Sequence, residues 1–87
     1  MSEYHVCGVV LMTRPENVFS VASALEAMPG VELHANDGGR LVVTVEGDAY
    51  GVCADTLNQL ATLSGVASSS LVYHEIETES DPEESLQ

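Results

Sequence analysis

Lysine is absent from the 87 residues and arginine occurs only as Arg14 and Arg40, against fourteen acidic residues, which sets the net charge at −12. Affinity for phosphate backbones comes from lysine and arginine, so this balance excludes a nucleic-acid binder, and docking on an anionic membrane fails for the same reason. What such a field attracts is a cation or a basic peptide. Tryptophan is also missing, and no apolar run reaches the roughly 18 residues of a membrane span. The start, Met1-Ser2-Glu3, lacks the basic opening and apolar stretch of an export signal, so the chain reads as cytoplasmic. There are two cysteines, Cys7 and Cys53, and no Cys-x-x-Cys pair. Both are expected as free thiols, and an iron–sulfur cluster is not supported.

What is present is 45% apolar and falls in short separated runs, enough for one small domain. Residues 4–13 hold the continuous run Val6 to Met12, rich in β-branched residues, the pattern of a central strand buried on both faces. Pro15 suits the first turn of a helix, and Val18, Val21, Ala22, Leu25 and Met28 recur at helical spacing over 15–28, where Pro29-Gly30 stops them. Val31, Leu33 and Ala35 then alternate with polar residues as in a half-exposed strand. Asp37-Gly38-Gly39-Arg40 is turn chemistry leading into a strand over 41–46. With Asp48 as N-cap, a second helix extends to about 63, and a last strand covers about 66–75. From 77 to 87, acidic residues are interleaved with Ser, Thr and Pro, a composition predicting a disordered acidic tail behind a domain of residues 1–76.

The order strand, helix, strand, strand, helix, strand predicts an α+β, ferredoxin-like βαββαβ fold. Its four-stranded antiparallel sheet has the order 4-1-3-2, with both helices on one face. Alternation assigns Cys7, Val9, Leu11, Leu33, Leu41, Val43, Val45, Leu71 and Tyr73 to the helix side. The open face receives Gly8, Val10, Met12, Glu32, His34, Val42, Thr44, Glu46, Ser68, Ser70, Val72 and His74. Ser68-Ser69-Ser70 offers no polarity contrast to set the phase of the last strand.

This arrangement leaves little room for chemistry. His34 and His74 fall on opposite edge strands, three spacings or roughly 14 Å apart, and His5 faces the other side, so no metal or cofactor is expected. The Ser68 to Ser70 run beside His74 is the sole local nucleophile candidate, and paired carboxylates occur only on the tail or as scattered surface charges, so no catalytic residue is assigned. Val10, Met12, Val42 and Val72 could close a weak homodimer. They could equally form an apolar platform, flanked by Glu32 and Glu46, for an amphipathic basic helix. Composition leaves both open.

Tyr4-His5-Val6-Cys7-Gly8-Val9-Val10, the Val45-Glu46 strand end, and above all Gly65-Val66 followed by Ser70-Leu71-Val72-Tyr73-His74 before an acidic tail resemble the NapD family. The similarity spans roughly residues 4–76. It implies a cytoplasmic chaperone, not an enzyme, that binds the twin-arginine signal peptide of the periplasmic nitrate reductase catalytic subunit as a helix against the sheet. Such binding prevents premature export while cofactors are inserted. Joined to the geometric assignment, it makes Gly8, Val10, Met12, Glu32, Val42, Thr44, Glu46, Ser70, Val72 and His74 the expected peptide-binding residues, and Met12→Glu the substitution expected to weaken binding with the fold intact. The alternative is an ACT-like regulatory domain binding an amino acid as a homodimer. Its glycine-containing ligand loop is not apparent at Thr13-Arg14-Pro15-Glu16.

Overall fold

In the computed structural model, which describes residues 3–78, the first apolar run forms the strand β1 (Glu3–Thr13). Pro15, whose φ is already set for a turn and which has no N–H to leave unpaired, opens a short 3-10 turn over Pro15–Asn17. The helix α1 (Val18–Glu26) therefore starts three residues later than its apolar spacing predicts, and it ends two residues earlier. Next come β2 (Val31–Asp37), β3 (Arg40–Gly47), the helix α2 (Tyr50–Ala61) and β4 (Val66–Thr78). The residue before α2 is Ala49, with no side-chain cap, so Asp48 does not serve as the N-cap expected of it. β4 runs to Thr78, beyond the predicted end at 75. The rest of the acidic stretch expected as a tail, 79–87, lies outside the described residues.

The sheet order is β2-β3-β1-β4, all antiparallel, which is the 4-1-3-2 order predicted from the element sequence. The β2–β3 hairpin closes through Gly38 and Gly39 at φ 59° and 101°, both in the region that a two-residue type I′ loop needs and that only glycine enters freely. The carbonyl of Gly39 accepts from the Thr13 N–H at 2.7 Å, tying the hairpin tip to the end of β1. Both helices cover the same face. Beneath them lie Cys7, Val9 and Leu11 of β1 and Leu41, Val43 and Val45 of β3, packed with Val21, Leu25, Cys53 and Leu60 from the helices, all fully buried. No helix among the described residues is long and apolar enough to cross a membrane.

The interior strands β1 and β3 pair without interruption from His5–Gly47 to Met12–Arg40. The edge strands do not keep that regularity. On β2 the register skips at His34, and on β4 it skips at Val72 and at Ala67, each an extra residue opposite a continuous partner. Such bulges twist an edge away from further pairing, and each one reverses the side to which the following residues point.

Candidate functional site

Among the described residues no element covers the face turned away from the helices, and its residues can be followed in rows across the strands. Val6 lies between Glu46 and Glu75, Gly8 between Thr44 and Tyr73, Val10 between Val42 and Ser70, and Met12 between Arg40 and Ser68. On the β2 side, Glu32 stands opposite Thr44, Ala35 opposite Val42 and Asp37 opposite Arg40. Met12 and Val42 remain 44% and 38% exposed, which for interior strands means that no element among the described residues shields them. The centre of the face is thus a shallow apolar strip, with Glu46 and Glu75 at one end and Arg40 beside Asp37 at the other.

Of the ten expected peptide-binding residues, Gly8, Val10, Met12, Glu32, Val42, Thr44, Glu46 and Ser70 share this face. His74 needs correction, whereas Val72, next after the helix-side Leu71, alternates to the open side as expected. Val72 is the bulged residue itself, unpaired on the edge and 63% exposed. Its insertion reverses the phase of all that follows, so His74 pairs with Cys7 and turns to the helix side. By the same reversal Tyr73, expected beneath the helices, comes onto the open face opposite Gly8. Leu71 does share the side of Val9, as expected, but stays 56% exposed on the edge strand. On β2 the extra residue His34 reaches Thr44 Oγ1 with its Nε2 at 2.6 Å, and Ala35, which the alternation put with Leu33, moves to the open side.

Tyr73 is the functional candidate that strand alternation missed. A Cβ added at Gly8 would fall within the Tyr73 ring, so the glycine is a trough in which the ring lies across β1. A glycine in the middle of an apolar strand signals such a close approach, and an aromatic residue on the neighbouring strand is its usual cover. Gly8 does not have a positive φ, so alanine there is free of backbone strain. Gly8→Ala is expected to expel the ring while changing stability by less than about 1 kcal/mol, because the gain in strand preference offsets lost ring packing. Loss of the nuclear Overhauser contacts between the Tyr73 ring and residue 8, in a variant with nearly unchanged urea midpoint, is the expected result.

At the acidic end the Tyr4 hydroxyl donates to Glu46 Oε2 at 2.6 Å. That bond to Glu46 raises the Tyr4 pKa above its ordinary value, with a smaller contribution from burial, and so keeps the hydroxyl as donor. On the opposite side of the sheet, His5 Nδ1 and His74 Nε2 meet at 3.0 Å, one donating and the other accepting, and the Tyr50 ring stands 5.3 Å from that of His74. The bulge at Val72 is what brings the two histidines together. Burial pushes both the Cys7 and Cys53 thiols up in pKa, so each stays protonated and poorly nucleophilic, and both are free rather than bridged. No group of three or more His, Cys, Asp or Glu able to hold a metal ion occurs among the described residues.

These features define a small α+β protein whose two helices cover one face of its sheet and leave the other as the candidate binding surface. The NapD protein family model matches residues 4–78, and the chain belongs to that family. It is similar to Chaperone NapD of Escherichia coli (strain K12), 29% identical over 82 residues covering 92% of this chain and 94% of the relative. It is also similar to Chaperone NapD of Paracoccus pantotrophus, 28% identical over 72 residues covering 83% of this chain and 64% of that one. Among solved structures, that of the E. coli Tat proofreading chaperone protein NapD matches with a TM-score of 0.77 and 30% identity, covering 91% of this chain and 85% of the other.

Proposed function

We propose that this protein is a Tat proofreading chaperone that binds a twin-arginine signal peptide on the open face of its sheet. The client proposed is the catalytic subunit of a periplasmic nitrate reductase, held in the cytoplasm until its cofactors are in place. The observation that carries this reading is the uncovered apolar strip of Val10, Val42 and Met12 in a chain of the NapD family. An amphipathic helix laid on that strip buries its own apolar side, and the net charge of −12 attracts its basic end. The protein then acts by occupancy alone, hiding the export signal without any chemical step. No feature of the fold or of the relatives favours the ACT-like alternative.

The test is calorimetric titration with a synthetic twin-arginine signal peptide of the nitrate reductase, beside the same peptide with both arginines changed to lysine. Tight binding that the lysine peptide loses is expected, because a guanidinium fork matches a carboxylate in a way that an ammonium does not. A folded protein that binds neither peptide would overturn the reading.

A further inference from the structure

Charge on the open face is divided along the direction of the strands. Glu46 and Glu75 flank Val6, and Glu77 stands opposite Tyr4, all at the end where β1 begins. The chain's two arginines lie at the other end, where Arg40 stands between Met12 and the acidic Asp37, and Arg14 follows directly on the last residue of β1. Tyr73 sits beside the acidic group, 42% exposed, with its ring over Gly8.

Resting on the reading of this face as a signal-peptide site, we propose that the peptide docks with one fixed polarity. Its twin arginines lie at Glu46 and Glu75 with a guanidinium over the Tyr73 ring, and its apolar segment runs along β1 toward Val10 and Met12. Three arguments support this direction. Glu46 and Glu75 stand on the strands either side of β1, two spacings or roughly 10 Å apart, so two neighbouring guanidinium groups can each find a carboxylate. The Tyr4 hydroxyl occupies only Oε2 of Glu46, fixing the carboxylate and leaving Oε1 to accept from a guanidinium. The partly exposed Tyr73 ring, over Gly8 in the row next to the two carboxylates, is a stacking surface for the flat cation.

The opposite direction sets two arginines against Arg40 and Arg14, where the carboxylate of Asp37 already faces Arg40, and it gives the apolar segment Glu46, Glu75 and Glu77, so like charges and unpaired burial both oppose it. The distance from Tyr4 to Met12 along β1, roughly 26 Å, is spanned by a helix of about 17 residues.

The deciding experiment uses the full chain and a synthetic twin-arginine peptide carrying a nitroxide next to its arginines. Amide signals of Tyr4, Val6, Glu75 and Glu77 are expected to broaden while those of Met12, Arg40 and Ser68 stay sharp. The variant Glu46→Gln/Glu75→Gln is expected to lose at least tenfold in affinity, against less than twofold for Asp37→Asn at the far end. The double variant should bind a peptide with both arginines changed to glutamine as well as the unaltered protein does. Broadening at Met12, Arg40 and Ser68 instead would overturn the polarity and leave the sheet face as the binding site. Broadening confined to the helix side, or no binding at all, would remove the reading on which it rests.

Discussion

Leu11→Ala is expected to destabilise the protein by about 3 kcal/mol, the middle of the range for truncating a buried leucine where neighbours close the gap only in part. Leu11 has no exposed surface and stands on an interior strand, opposite Leu41 on one side and Ser69 on the other. Its helix-side neighbours Val9, Val43 and Leu41 are themselves fully buried in β1 and β3, whose unbroken ladder cannot shift to fill the cavity. A domain this small has a folding free energy toward the low end of roughly 5–15 kcal/mol, so the substitution removes a large share of it. The melting temperature should fall by roughly 12–24 °C, with the urea m-value unchanged. A fall below about 1 kcal/mol would mean that the core relaxes around the gap and is not set by these two strands.

The same strands explain what could be read without coordinates. Strand order, helix placement and the open face of β1 and β3 were legible, because their alternation of buried and exposed residues matches an uninterrupted ladder from His5–Gly47 to Met12–Arg40. The edges were not. Leu71-Val72-Tyr73 are three consecutive apolar residues, so no contrast marks which of them is the extra one, and the serines before them are equally uniform. Placing the bulge at Val72 exchanges Tyr73 with His74, which removes one expected contact from the face and supplies an aromatic ring in its place. The information that would have resolved the phase lay on the partner strand. Gly8 has no side chain to hold its row, and only a large residue opposite it can fill the trough. His34 illustrates the reverse limit, since Asn36-Asp37 and the turn behind it give no hint that the alternation begun at Val31 is broken midway.

Where a charge is introduced on the open face should decide how much binding it removes. Met12→Glu, the substitution suggested by strand alternation, puts the new carboxylate opposite Arg40, a cation that partly offsets its burial beneath a bound peptide. Val10 is better placed. It lies on the interior strand between Val42 and Ser70, and its neighbours along the same face are Gly8 and Met12, so no cation stands directly opposite it and Arg40 is one row away. In the free protein a glutamate at this half-buried position reaches water past its neighbours with its longer side chain, and Val10→Glu should lower stability by about 1 kcal/mol. In the complex the same carboxylate is covered by the apolar side of the peptide without a partner, at a penalty of roughly 3 kcal/mol, which is about a hundredfold in affinity. Val10→Glu is therefore expected to weaken signal-peptide binding about a hundredfold and Met12→Glu by a smaller factor, both with near-native melting temperatures. A folded Val10→Glu protein whose affinity stays within threefold of the unaltered chain would take the sheet face out of recognition altogether.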